Sequence, residues 1–308
     1  MLGTLYLYYS LLYHLYNNGV RHTRVTGVVM ARLKILSLCD GVGGGYMALK
    51  SLGVDFQYYA VEIDKHPRKI IDSMVNDIIR PVDDVKLLTR EMLKALGPFD
   101  WVIFGSPCQS VSVASNGDGL DGKSGLLLDC LRVLKICQEY NPNLKFLIEN
   151  VKMKNAFKEQ FNELIGVEPV LINSALVSAQ KRERYYWCNF PVSQPKDRGI
   201  VIPELVAWSR STRYPKDKPS YVEMRETKNG KSNTLTTGMY CASFSSKTFS
   251  ECHGGRAPLS VYQCLYLQTI PINYTSGFFQ VSKSQAYKAI GNGWTIEVIK
   301  HIFSEGLK

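Results

Sequence analysis

Residues 33–53 read LKILSL, then Cys39, then DGVGGG, then YMALKSLG. Leu33-Lys34-Ile35-Leu36-Ser37-Leu38 is a short β-rich run, Asp40-Gly41-Val42-Gly43-Gly44-Gly45 is a cluster where the backbone can turn tightly, and the segment that follows has helical character. The order is strand, turn, helix. Working outward, a second apolar run at 56–63 contains Glu62 near its end and precedes a helical segment at 65–74. A third, 99–104, runs into Gly105-Ser106-Pro107-Cys108, and a fourth, 144–148, ends at Glu149-Asn150. Strands alternating with helices predict an α/β fold with a Rossmann-like, doubly wound, mostly parallel sheet, whose ligands gather at the carboxyl ends of the strands. Each stretch named above ends there.

With 308 residues the chain has room for one large domain and a smaller one. Lys and Arg number 37 against 27 Asp and Glu, a formal charge of +10. That balance favours a polyanionic partner, nucleic acid ahead of an anionic membrane surface, although solubility alone also selects for net charge. The eight Cys show neither a CxxC pair nor zinc-like Cys/His spacing, and the chain is far larger than disulfide-stapled domains. No metal, reduced thiols and a cytoplasmic setting follow, with Cys130 and Cys137 as small core residues. Residues 5–16, LYLYYSLLYHLY, are too short to span a bilayer and lack a basic leader and a cleavage site. No membrane role is expected, and residues 1–29 are read as a dispensable extension before Met30.

From 191 to 255 the pattern changes to Ser/Thr/Pro/Lys-rich pieces in which Lys196, Arg198, Arg210, Arg213, Lys216, Lys218, Arg225, Lys228 and Lys231 interleave with Trp208, Tyr214 and Tyr221. This stretch is read as a second, smaller domain, with 30–190 plus 256–308 forming the main one; a solvated loop surface is the alternative. Helical periodicity returns at 259–268 and again at 295–303.

The chemistry-bearing residues lie at the strand ends. Glu62, about twenty positions after the glycine cluster begins, suits a ribose-binding acid, an arrangement dinucleotide dehydrogenases share. Pro107 fixes a turn that sets Cys108 just past a strand, where helix dipoles and cations can favour a nucleophilic thiolate; a small buried Cys is the competing reading. Glu149-Asn150-Val151 and Gln180-Lys181-Arg182-Glu183-Arg184 then bring an acid and two arginines toward the same edge, which favours chemistry over structure alone.

In content and order these stretches resemble the motifs of the 5-methylcytosine DNA methyltransferase family, over residues 33–303. The resemblance implies that Asp40, Gly41, Val42, Gly43 and Gly45 form the loop for S-adenosyl-L-methionine, that Glu62 with Ile63 holds its ribose, and that Asp84 with Val85 holds its adenine. It further implies Ser106 and Pro107 beside the cofactor, Cys108 as nucleophile, and Glu149, Arg182 and Arg184 as the remaining catalytic groups. Asn292 and Trp294 belong to a late motif that completes the cofactor pocket. Gln109, Ser110, Ser112, Gln180, Thr234, Thr236, Thr237 and Gly238 are implied contacts to double-stranded DNA, with 191–255 as a target-recognition domain and the Ser/Gly-rich 109–125 as a lid. The implied reaction is methyl transfer to carbon-5 of a flipped-out cytosine through a Cys108 adduct.

The Gly-Tyr end of the first motif, Ser-Pro-Cys, Thr-Leu-Thr-Thr at 234–237 and Trp294-Thr295 lean toward the animal de novo branch. The absence of a recognisable reader domain suggests a compact microbial or viral stand-alone enzyme, monomeric or weakly associating, in the cytoplasm at the nucleoid or in a host cell. Cys39 stands where the family usually has Phe, Ser110–Ser112 depart from the usual sequence, and Gly293-Trp294 replaces the common Ala-Val; these bear on affinity and kinetics. A tRNA cytosine methyltransferase is disfavoured by the missing Cys-Phe-Thr signature. An inactive DNA-binding homologue is disfavoured by retention of Cys108, Glu149, Arg182 and the glycine loop together, and a nicotinamide dehydrogenase requires the Ser-Pro-Cys and Glu-Asn-Val matches to be accidents.

Overall fold

The computed structural model describes residues 32–105, 125–201, 231–237 and 259–308, together with the backbone of 223–224, 250–252 and 255–257. A seven-stranded sheet forms the centre, in the order β3-β2-β1-β4-β5-β7-β6. Its strands are β1 (Leu33–Leu38), β2 (Phe56–Val61), β3 (Ile78–Ile79), β4 (Trp101–Gly105), β5 (Lys145–Val151), β6 (Pro169–Asn173) and β7 (Glu183–Cys188). All neighbouring pairs are parallel except the two made by β7. The doubly wound, mostly parallel sheet expected from the strand–helix alternation is therefore present. Its one antiparallel strand is built from the arginine-bearing stretch after Gln180.

Helices cover both faces: α1 (Gly44–Ser51), α2 (Lys65–Asp72), α3 (Arg90–Leu96), α4 (Gly125–Tyr140), α5 (Asn155–Ile165), α6 (Val261–Leu267), α7 (Lys283–Asn292) and α8 (Ile296–Gly306). Side chains alternate along the strands. Leu36, Leu38, Val102, Phe104, Phe146 and Ile148 face one core with α4, whereas Ile35, Trp101, Ile103 and Leu147 face the other with α1 and α8. Both faces being buried explains why the strands read as continuous apolar runs. Cys130 and Cys137 sit in the first core as expected, at 0% and 2% exposure.

A third cluster joins α6 and α7 to Leu235 and Val42, so the C-terminal part returns to the glycine loop. A separate three-stranded sheet pairs β8 (Glu223–Met224), β9 (Ser250–Cys252) and β10 (Gly255–Ala257). Parts of the expected 191–255 unit are hydrogen-bonded to the main body. Arg198 pairs with Glu297 at 2.8 Å, and Lys231 Nζ donates to the carbonyls of Ala175 at 2.6 Å and Ser178 at 3.1 Å. Lys231, read in the sequence as one of a basic series, thus fastens the chain to the scaffold; partial burial lowers its pKa.

Candidate active site

The carboxyl ends of β1, β2, β4 and β5 open into a cleft of about 740 Å³. Its wall includes Asp40, Gly41, Val42, Glu62, Ile63, Asp84, Val85, Asn292 and Trp294, nine of the residues selected from sequence for cofactor contact. Gly43 and Gly45 are not on that wall. Gly43 adopts the left-handed φ of 76° that starts α1, a conformation glycine takes without strain.

Glu62 accepts the backbone N–H of Gly41 at 2.8 Å on one oxygen and that of Asp64 at 2.8 Å on the other. It ties the glycine loop to the start of α2 while remaining on the cleft wall. Asp40 accepts the Tyr58 hydroxyl at 2.7 Å on Oδ1, but its buried Oδ2 has no hydrogen-bond partner. Burial pushes the Asp40 carboxyl up to about 6, against the opposing pull of the Ser37 and Tyr58 hydroxyls. Asp84 caps the short helical turn Val85–Leu87, accepting from the backbone N–H of Lys86 at 3.0 Å.

Across the cleft, Glu149 lies near the end of β5, opposite Gly105 of β4 in the parallel register. It is 8% exposed. Arg184 Nε stands 3.0 Å from Oε1, and the Trp294 indole N–H donates to Oε2 at 2.9 Å. A Cβ at Gly105 would lie 2.9 Å from Glu149 Oε2 and 3.0 Å from Trp294 Nε1, so only glycine leaves room for this contact.

Arg182 behaves differently from Arg184. At 3% exposure it directs its guanidinium to the carbonyls of Leu235 at 2.9 Å and of Gly291 and Gly293 at 3.0 Å each. It clamps the 231–237 segment and the end of α7 to the sheet, although it also reaches the cleft wall. Gln180, expected from sequence at the DNA, is fully buried in this structure, its Nε2 donating to the Leu267 carbonyl at 3.1 Å and its Oε1 accepting the N–H of Leu235 at 2.9 Å, which is a scaffold role. Thr234 donates to the Lys181 carbonyl at 2.6 Å, whereas Thr236 and Thr237 are exposed. Cys108, Ser106, Pro107, Gln109, Ser110, Ser112 and Gly238 lie outside the described residues, as do residues 1–29 and nearly all of 109–125.

Sequence reasoning passed over Gln285 and Lys288, which line the cleft beside Ala289 and Asn292. Their spacing of three, four and seven residues puts them on one face of α7, a helical period that was available to find them. Lys288 also reaches across to Asp64 at 2.9 Å.

A family profile described as C-5 cytosine-specific DNA methylase matches residues 33–238. The chain belongs to that family. Among C-5 cytosine methylases and their relatives, it is 32% identical over 170 residues to the orphan methyltransferase M.SPRI of Bacillus phage SPR. That alignment covers 51% of this chain and 37% of the phage protein, so the chain spans little more than a third of that relative's length. The type II methyltransferase M.HhaI of Haemophilus parahaemolyticus is 24% identical over 315 aligned positions, covering 88% of this chain and 93% of that one. Among solved structures, the Entamoeba histolytica methyltransferase EhMeth superposes with a TM-score of 0.68 at 14% identity, covering 91% of this chain and all of that one. Spodoptera frugiperda DNMT2, solved as a mutant, gives 0.62 at 17% identity, covering 90% of this chain and all of that one. At such identities the structural likeness speaks for the fold.

Proposed function

We propose that this chain transfers a methyl group from S-adenosyl-L-methionine to carbon-5 of cytosine in double-stranded DNA. The observation that carries the reading is the held Glu149 carboxyl at the cleft, with Arg184 on one oxygen, set beside Gly105. Cys108 follows Gly105 by three peptide links, which limits its Cα to about 11 Å from that of Gly105.

The cleft suits the cofactor. Asp40 offers a buried, unpartnered carboxylate oxygen for a cationic amino group, Glu62 lies about twenty residues from the glycine loop, and Asp84 and Val85 lie on the same wall. When bound, the cofactor supplies an electrophilic methyl. Carbon-5 of cytosine is too weak a nucleophile to take it directly. The Cys108 thiolate adds to carbon-6, the displaced electron pair moves into the ring, and Glu149 hands a proton to the ring nitrogen, leaving enamine character at carbon-5. Arg184 stabilises the charge that develops beside Glu149. After transfer, a base removes the carbon-5 proton, the thiolate leaves carbon-6, and the ring-nitrogen proton returns to Glu149.

A paired cytosine offers neither face to such a site, so the base rotates out of the duplex. Phosphate contacts fall to the basic 191–255 region as a target-recognition domain and to the exposed Thr236 and Thr237 at its border. Gln109, Ser110, Ser112 and Gly238 retain their place in the reading as DNA contacts, and Ser106 and Pro107 as cofactor contacts. Arg182 is reassigned to holding the cleft wall.

The test is transfer of tritiated methyl from S-adenosyl-L-methionine to mixed-sequence duplex DNA and to tRNA, with product sequencing. Label at cytosine carbon-5 of DNA is expected. Label confined to tRNA replaces the substrate, and no label in either, with cofactor bound, overturns the proposal.

A further inference from the structure

Trp294 touches both halves of the cleft. Its ring packs over the glycine loop, where a Cβ at Gly44 would lie 3.3 Å from Cε3, while its Nε1 end reaches Glu149 Oε2 at 2.9 Å. The backbone that carries it is fastened on either side. The Gly293 carbonyl accepts Arg182 at 3.0 Å and Gln268 at 3.1 Å, and Thr295 Oγ1 bonds Ser174 at 2.9 Å and Gln268 at 2.9 Å. The ring therefore has a fixed base from which to span the cleft.

We propose that Trp294 is a positioning residue for Glu149, its indole N–H orienting the carboxyl while the same ring forms the cofactor wall, so that cofactor binding and carboxyl alignment are coupled. The inference rests on the methyl-transfer reading above. The chemistry of the donor is apt. An indole N–H donates without carrying charge, so it orients Oε2 without adding a second cation to the one Arg184 already supplies. Arg184 and Trp294 leave one site on each oxygen for the edge of a cytosine, one to accept from the exocyclic amine and the other to carry the proton handed to the ring nitrogen. A cofactor pressed against the ring restricts its rotation, and that restriction passes to Glu149 through one hydrogen bond.

The experiment has two readouts. The first needs no turnover: the protein is labelled with 15N-tryptophan and the Trp294 indole resonance assigned by its loss in Trp294→Phe. The resonance is expected to exchange slowly with solvent and to exchange at least about tenfold faster in Glu149→Ala, as loss of a buried acceptor requires. An unchanged rate overturns the proposal. The second replaces Trp294 by benzothienylalanine, which keeps the ring shape and packing but lacks the N–H. The expected result is a kcat about tenfold lower with cofactor Kd changed less than about threefold, the loss of one hydrogen bond to a charged group. A weakened Kd with unchanged kcat makes the ring a wall only and overturns the proposal, as does no change in either. If the unsubstituted protein transfers no methyl, the methyl-transfer reading falls and the exchange measurement alone decides whether Trp294 holds Glu149.

Discussion

The cleft has two sides built at the same edge of one sheet but held by different kinds of bond. At the ends of β1 and β2, the glycine loop is secured by main-chain groups: Glu62 accepts two backbone N–H donors, and Asp84 caps a turn. At the ends of β4, β5 and β7, Glu149 is secured by two side chains, Arg184 and Trp294, which are 35 and 145 residues away in sequence. The hydrogen bonds of the first side are local, although the C-terminal helices and Trp294 pack against its glycine loop. The second exists only when distant segments meet, which makes it the side more sensitive to substitution.

The largest effect expected is that of Cys108→Ala, which should lower methyl transfer by at least about 1,000-fold, because the covalent route is lost as a unit. Equal cofactor binding by titration calorimetry would keep that loss on the second side; lost cofactor affinity would blur the division. Next is the contrast between the two arginines. Arg182→Met leaves the Leu235 and Gly291 carbonyls without that donor, while the Gly293 carbonyl keeps Gln268, so its stability by urea denaturation should fall by about 2–3 kcal/mol. Arg184→Ala should leave stability within about 1 kcal/mol and instead lower kcat about 100-fold. If the two results were exchanged, the assignment of scaffold and catalytic arginine would be reversed.

The smallest effect tests the first side through pH. Asp40 holds its proton up to about 6 when folded and releases it near 3.8 when unfolded, so the folded state binds more protons between those values. Wild-type stability from this group is therefore fully present below about pH 4 and falls as pH rises through 6. Asp40→Asn carries no such titration. Without cofactor it should be about 1–3 kcal/mol more stable than wild type at pH 7, with the gap closing at pH 4, as a shift of about two units implies. Equal stability at both pH values would show that Asp40 is not held at a cost.

Local signals were sufficient for the four parallel strands β1, β2, β4 and β5, though not for the two-residue β3. The run at 33–38 is β1 to the residue, the helical spacing at 295–303 begins at the N-cap of α8 and continues through it, and the strand-end placement of Glu62 and Glu149 follows from continuous apolar runs buried on both faces. The stretch at 180–184 was legible as a motif, but the strand at 183–188 that it leads into was not. Nothing local specifies that β7 enters antiparallel between β5 and β6, since strand order depends on how distant segments pack.

The two arginines show the same limit at the scale of one residue. Spaced by two, Arg182 and Arg184 would share a face if both lay in a strand, but β7 begins at Glu183, and Arg182 turns to the carbonyls of Leu235, Gly291 and Gly293. The sequence by itself determined the chemistry available, because residue types and strand-end spacing are local properties. The tertiary structure decided which arginine meets Glu149, that Gln180 is buried and that Trp294 bridges the cleft, because each depends on contacts closed across scores of residues.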